Sequence, residues 1–269
     1  MDVENKFYIV IPTFNRPELV LRCLKSVLSQ NYKNYVVYIV NDGSMLDYSS
    51  VEDFVFKNEK VFYKKMEKNI GLNKVKNYSL DLISKDNNLK ENSYFFVLDD
   101  DDFLVENALS IINLNLSTNY NWFGFNVLIK SSSVFINVDF LEYKEMSYGE
   151  YFLKNMGDKH FVINLNLINN IRFPKKIKNG YEDIFFDKVS KRGLFLSIPE
   201  KIVVKEYLED GLSLSDLYDN YNYFKMIRIR FNYILEDPFS FIYIFQFLKS
   251  FLRLKSLMKV LNINKKDLI

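Results

Sequence analysis

The chain has 269 residues, 48% hydrophobic and 26% charged, and its 36 basic and 34 acidic residues leave a net charge of +2. So even a balance argues against a whole-surface nucleic-acid binder, and the hydrophobic share is ample for one large α/β domain. A single cysteine, Cys23, excludes an internal disulfide and fits a reducing compartment. At the N-terminus, Asp2 and Glu4 precede the first apolar run, which is unlike a signal peptide. No stretch reaches the roughly 18 uncharged apolar residues of a membrane span, so a cytoplasmic protein is expected.

Residues 6–11 read as a buried strand stopped by Pro12. Pro17 suits the first turn of a helix, and Val20, Cys23, Leu24, Val27 and Leu28 recur at helical spacing, which places Cys23 in the core. Residues 35–40 form a second buried strand, ended by Asn41-Asp42-Gly43-Ser44. A weak helix at 47–57, a short strand at 61–63, a helix at 72–83, a strand at 94–98 and a helix at 105–116 follow. Apolar strands alternating with helices predict an α/β fold with a mostly parallel central sheet flanked by helices. Ligands bind beyond the carboxyl ends of such strands, so the polar clusters at 12–16, 41–44 and 99–102 are expected to share one crevice. The second half is less regular. It offers one or two strands in 122–138, a helix at 147–155, a strand at 161–165, a helix at 181–192 and a strand at 201–207. Helices at 215–235 and 239–262 are separated by Asp237-Pro238.

Asp99 to Asp102 close the apolar run at 94–98. Four adjacent like charges repel one another. Either they sit in a solvated acidic loop or a divalent cation relieves them, since Mg²⁺ and Mn²⁺ take oxygen ligands and are often shared with substrate phosphates. In extended backbone Asp99 and Asp101 point the same way.

Five segments, in order, then carry a resemblance. They are Ile11-Pro12-Thr13-Phe14-Asn15-Arg16, Val40-Asn41-Asp42-Gly43-Ser44, the stretch from Asn69 through Gly71 to Lys76-Asn77, Leu98-Asp99-Asp100-Asp101-Asp102, and Phe173-Pro174 with Gly180-Tyr181-Glu182-Asp183. Across residues 6–210 the chain resembles a family-2 glycosyltransferase with the GT-A fold. The resemblance implies a GT-A catalytic domain at 1–212, with a nucleotide-binding half at 1–117 and an acceptor-binding half at 118–212, and a C-terminal helical extension at 213–269. It implies inverting, metal-dependent transfer of one hexose or N-acetylhexosamine from a UDP-sugar to a hydroxyl of a glycan or lipid-linked glycan, in bacterial lipopolysaccharide, capsule or other surface-polysaccharide synthesis. The Gln-x-x-Arg-Trp element of processive synthases is absent, which favours single-residue transfer. The competing reading is a non-catalytic nucleotide-sugar-binding or scaffold protein that kept the fold. A nucleotidyltransferase or a dehydrogenase is disfavoured because residues 12–16 contain no glycine.

By the same resemblance, Pro12, Thr13, Asn15 and Arg16 form the nucleotide-binding turn, and Thr13 and Asp42 contact the nucleoside. A carboxylate can accept a uracil imide N–H; otherwise Asp42 is a turn residue before Gly43. Arg16 meets the pyrophosphate or is a surface arginine. Gly71 permits a tight turn into the next helix. Lys76 stands where the family often has Arg, and either contacts base or phosphate or lies on a solvated helix face. Asp99 and Asp100 address the nucleotide, and Asp101 with Asp99 would hold Mn²⁺ or Mg²⁺. Asp102 is a cap for the helix near Val105. Asp183 is the candidate general base and Glu182 supports the acceptor; read alone, the pair are helix N-terminal acids favoured by the macrodipole. Many relatives carry a His before a late Ser-x-Ser element, whereas this chain has Lys205-Glu206-Tyr207 ahead of Ser213 and Ser215. His160 is expected to be structural. Residues 239–262 are apolar and basic. They either lie on an anionic membrane at the inner leaflet or pack on the catalytic domain or a second copy in a homodimer.

Overall fold

The computed structural model describes residues 4–116, 119–130, 137–208 and 222–260. It divides into two units, Met1–Glu206 and Tyr207–Ile269. The boundaries expected at 117/118 and 212/213, part of the strand region 122–138, the Ser213/Ser215 element and the first turns of the helix expected at 215 lie outside the described residues.

In the first unit the chain runs β1 (Lys6–Thr13), α1 (Pro17–Leu28), β2 (Tyr35–Asn41), α2 (Ser49–Phe56), β3 (Val61–Lys65), α3 (Leu72–Ile83), β4 (Ser93–Val97), β5 (Phe103–Leu104), α4 (Ala108–Asn115) and β6 (Trp122–Ile129). It continues through β7 (Lys144–Met146), α5 (Tyr148–Leu153), β8 (His160–Asn164), α6 (Leu165–Ile168), α7 (Glu182–Ser190) and β9 (Phe195–Lys205). Among the described residues the strands form one sheet in the order β3-β2-β1-β4-β8-β6-β9-β5, with β7 also on β9. β1 is parallel to β2 and β4, and β2 to β3. β8 runs antiparallel to β4 and β6, and β9 parallel to β6. The expected mostly parallel α/β sheet is therefore present, with one reversed strand near its centre. Its inner strands are apolar because both faces are covered: Phe7, Tyr8, Ile9, Val10 and Ile11 are all fully buried. From the helices, Val20, Cys23, Leu24 and Val27 of α1 enter the same core, as their spacing predicts.

Three local expectations are corrected. Pro12 does not stop β1, which continues to Thr13 opposite Asn41. The Val10 carbonyl faces β4 and accepts Leu98 N–H, and residue 12 faces the same side beyond the last β1–β4 pair, Val10 with Val97. The missing proline N–H therefore costs no ladder bond. The helix expected from residue 105 begins at Ala108, because Phe103–Leu104 pairs with β9 and Asn107 takes φ 58°. Asp102 accordingly caps no helix. Finally, Asp99 to Asp102 are not extended: the Asp102 N–H donates to the Asp99 carbonyl at 3.0 Å, closing a tight turn.

This topology decides what meets at one sheet edge. β1, β2, β4, β6 and β9 share a direction, so the segments after Thr13, Asn41 and Val97 and the end of β9 at Lys205 lie on one side. Reversed β8 begins there, with His160. The aspartate turn leaves β4 and joins β5, which pairs with β9, so it crosses this edge toward Lys205.

The second unit holds α8 (Asn222–Glu236) and α9 (Phe241–Val260). They pack through Phe231 on Phe247 and Tyr233 on Tyr243. Ile242 and Tyr243 are buried, while Phe239, Phe241, Leu248, Phe251 and Leu252 are exposed. Among the described residues, no helix is long and apolar enough to cross a membrane.

Candidate active site

The three polar clusters do meet. The Asp42 N–H donates to the Thr13 carbonyl at 2.8 Å, and the Asn15 N–H donates to Ser44 Oγ at 2.8 Å. Asn15, at φ 54°, also accepts the Met45 N–H at 2.9 Å. Thr13 Oγ1 lies 2.8 Å from Tyr48 Oη, which accepts the Arg16 N–H at 2.9 Å, and the Thr13 hydroxyl also bonds Asp100. Arg16 reaches the aspartate turn directly, with Nη1 3.0 Å from Asp101 and 3.5 Å from Asp100.

The crowded acids are thus partly neutralised by the protein itself. Lys205 Nζ is 2.9 Å from Asp102 and 3.7 Å from Asp99. Burial works against the Lys205 ammonium, but the Asp102 and Asp99 carboxylates outweigh it and hold the amine charged well above its usual range. Burial likewise opposes the Asp99 charge, and Lys76 with Lys205 overcomes it and pulls the carboxyl below its usual range. For Asp100, burial prevails over the Thr13 hydroxyl and Arg16, and the carboxyl is pushed up to about 7. Cys23, buried in the core as expected, lies 3.6 Å from the Asp99 carbonyl and helps seat the turn.

Asp42 holds a different loop. Its carboxylate accepts the Ile70 N–H at 2.7 Å and the Gly71 N–H at 2.9 Å. Gly71 then starts α3 at φ 94°, a conformation that favours glycine. A Cβ there would stand 2.7 Å from Lys178 Cβ and 2.8 Å from Lys178 Cα. Gly71→Ala is therefore expected to destabilise by at least the about 1–3 kcal/mol of a strained backbone position, read as a lower midpoint in chemical denaturation.

Sequence reasoning gave Asn73 and Asn77 no role, yet they tie α3 to the last motif. Asn73 Nδ2 donates to the carbonyls of Ile177 (3.1 Å) and Gly180 (2.9 Å), and its N–H donates to the Lys178 carbonyl (2.9 Å). Asn77 makes a two-way bond to the Phe173 backbone. After Gly180 at φ 74° and Tyr181 at φ 62°, α7 opens with Glu182 and Asp183. Lys76 is buried and ion-paired to Glu182, which removes its solvated-face reading. Burial disfavours the Lys76 charge, but Glu182 and Asp99 more than compensate, and its pKa rises.

Lys76, Asp99, Glu182 and Asp183 line one cavity of about 220 Å³, together with His160 and Lys205. Pro12, Thr13, Asn15, Arg16, Asp42, Gly71, Asp100 and Asp101 lie in neighbouring turns and are not among its lining residues. His160 is 5% exposed, and burial together with Lys205 pushes its pKa down to about 3 against the pull of Asp99, so the ring is neutral. The signal that could have found it is topological: it opens the one central strand that runs backward.

The family model of glycosyl transferase family 2 matches residues 8–161. The chain belongs to that family. Over 199 residues it is 25% identical to the Campylobacter jejuni GalNAc(5)-diNAcBac-PP-undecaprenol beta-1,3-glucosyltransferase, covering 71% of this chain and 62% of the relative. It is 23% identical over 222 residues to glycosyltransferase GlyA of Streptococcus pneumoniae, covering 81% of this chain and 29% of that one. This member of family 2 thus spans less than two thirds of the length of these curated relatives. The crystal structure of S. aureus TarS 1-349 in complex with UDP-GlcNAc superposes with a TM-score of 0.71 at 16% identity, covering 97% of this chain and 77% of TarS. That likeness establishes the GT-A fold read from the sequence motifs.

Hard carboxylate donors are present in the family member's acidic turn. The Asp99 side chain is 42% exposed and that of Asp101 17%. Among the described residues no three His, Cys, Asp or Glu side chains converge as a metal-holding group. The donor set therefore fits a cation shared with substrate phosphates and not an all-protein cage.

Proposed function

We propose that this protein is an inverting glycosyltransferase that moves one hexose or N-acetylhexosamine from a UDP-sugar to a hydroxyl of a glycan or lipid-linked glycan in bacterial surface-polysaccharide synthesis. The observation that carries the reading is that Asp99 and Asp183, far apart in sequence, line one cavity at the carboxyl edge of the parallel strands. The printed names of relatives support it: one is named for an undecaprenol-PP-linked glycan, and another, from Escherichia coli, as a putative colanic acid biosynthesis glycosyl transferase.

In this reading Pro12, Thr13, Asn15, Asp42 and Gly71 form the nucleoside end. Asp42 keeps lone pairs beyond its two backbone bonds to accept a base imide N–H. Arg16 exchanges its carboxylates for the diphosphate, Lys76 adds positive charge, and Asp99 and Asp100 address the ribose. Mn²⁺ or Mg²⁺ would be held by Asp101 and Asp99 together with the diphosphate, and would offset charge on the departing UDP. Asp183 takes the proton from the acceptor hydroxyl as its oxygen bonds the anomeric carbon and the bond from that carbon to the diphosphate oxygen breaks. Glu182 orients the acceptor. Residues 239–262 are the candidate membrane contact at the cytoplasmic face, since Phe239, Phe241, Leu248, Phe251 and Leu252 are exposed and the stretch is free of acidic residues.

Hydrolysis of a panel of UDP-sugars with and without Mn²⁺, in the absence of acceptor, tests the reading, alongside the rise in melting temperature each sugar produces. Asp101→Ala is expected to weaken UDP binding in calorimetry with Mn²⁺ and to leave it unchanged without the metal. Equal weakening in both conditions would remove Asp101 as a ligand.

A further inference from the structure

The aspartate turn closes on one hydrogen bond of its own, from the Asp102 N–H to the Asp99 carbonyl. Like charges this close push such a turn open. Helix α1 supplies further grip. Arg22 Nη2 donates to the Asp101 carbonyl, and the next residue, Cys23, has its sulfur 3.6 Å from the Asp99 carbonyl. One helical turn on, Ser26 Oγ accepts the Leu104 N–H at 3.0 Å, and after another turn Gln30 Nε2 donates to the Val105 carbonyl at 2.9 Å. Residues 22, 26 and 30 stand four apart, so one face of α1 holds the main chain of 99–105.

Arg22 is the charged member of this row, and its guanidinium is engaged on every side the contacts record. Nη1 pairs with Glu206 just past β9, Nη2 holds the Asp101 carbonyl, and Cζ lies 5.1 Å from the centre of the Phe103 ring. Glu206 in turn pairs with Lys130, and its N–H donates to Asp102 Oδ1 at 3.3 Å. A ring of contacts therefore passes from Arg22 to Glu206, on to Asp102, and back through the turn to the Asp101 carbonyl. Asp101 is caught at both ends, its carboxylate by Arg16 at 3.0 Å and its carbonyl by Arg22. Charge-assisted bonds are the strong ones, and a planar fork serves two partners in fixed directions where a single ammonium is a point charge.

We propose that Arg22 is a positioning residue for the divalent cation: by clamping the Asp101 carbonyl to Glu206 it sets the spacing at which Asp99 and Asp101 present their carboxylates. It acts through the main chain of the turn and not as a ligand. The proposal rests on the reading of Asp101 and Asp99 as cation ligands, and deepens it by naming the residue that fixes their geometry. Cations differ in how much they need such fixing. Mg²⁺ demands near-ideal octahedral geometry at about 2.0–2.1 Å, whereas Ca²⁺ accepts flexible arrangements of oxygens at about 2.3–2.6 Å. A loosened turn therefore costs Mg²⁺ more than Ca²⁺.

Electron paramagnetic resonance of free Mn²⁺, titrated into the full chain with saturating UDP, reads the cation's affinity without turnover, and competition by Mg²⁺ and Ca²⁺ reads theirs. Arg22→Lys keeps the charge but offers one head to two partners. It is expected to lose about tenfold in Mn²⁺ and Mg²⁺ affinity, the low end for a residue that supports a ligand, and less than about threefold in Ca²⁺ affinity. Arg22→Met also removes a positive charge, which by Coulomb's law alone favours a cation, so a fall there is geometric. It serves if the lysine variant fails to fold. Lys130→Met removes the other partner of Glu206 from a pair whose lysine side chain is 58% exposed, and is expected to leave Mn²⁺ affinity within about twofold. If the Arg22 variants bind Mn²⁺ as the wild type does, if Lys130→Met falls as far, or if Ca²⁺ affinity drops as much as Mg²⁺ affinity, the inference falls and the cation site stands. If the wild type with UDP binds no Mn²⁺, the cation reading itself falls and takes this clamp with it.

Discussion

Asp183→Asn is expected to lower transfer by about 10²–10⁴-fold, the usual contribution of a positioned general base, while UDP binds as in the wild type. Asparagine keeps the shape of the side chain and the N-terminal turn of α7 but cannot take a proton. Asp183 stands beside Glu182 at the start of that helix, and both line the cavity that Asp99 also reaches. The variant separates the two readings of the acid pair. If Asp183 served only the helix macrodipole, neutralising it would cost the about 0.3–1 kcal/mol typical of such charges and leave kcat intact. Steady-state kinetics with saturating donor, set against the denaturation midpoint, distinguishes these outcomes. Unchanged kcat would move the base elsewhere.

Replacing Lys205 by methionine is expected to cost about 3–5 kcal/mol, the penalty of leaving one member of a buried ion pair without its partner. The lysine side chain is 18% exposed and that of Asp102 5%, at 2.9 Å separation, so solvent cannot take over the charge. Asp102 also accepts the Glu206 N–H at 3.3 Å, so the loss should extend to the end of β9. Denaturant titration of wild type, Lys205→Met, Asp102→Asn and the double variant forms a closed cycle. The double variant should recover much of the single loss. A single-variant cost below about 1 kcal/mol, as at an exposed pair, would refute the buried pairing.

The first half of the fold was legible because its signals are local. Apolar runs at 6–11, 35–40 and 94–98 are strands, and α3 occupies the predicted 72–83. The crevice was legible too, since parallel strands must present their following turns together. What escaped was set by long-range pairing. Phe103–Leu104 is too short to show periodicity and is a strand only because β9 lies beside it. The aspartates read either as a solvated acidic loop or as needing an external cation; the shared crevice brought Arg16 near them, but no spacing rule gives the ion pairs that Arg16 and Lys205 make with them. His160 read as structural because burial alone describes it well; the unpaired nitrogen exists only in three dimensions.

The bonds that run from Thr13 through Asp42 to Gly71, along α3, and from Asn73 and Asn77 into the 173–180 loop have one mechanical outcome. They form a caliper whose jaws are the turn after β1 and the start of α7. Its opening is fixed where three side chains, Asp42, Asn73 and Asn77, grip main-chain groups of the next segment. A substitution anywhere along its spine, well removed from either jaw, would change the gauge to which reacting groups are held, and catalysis is sensitive to misplacements of about 1 Å.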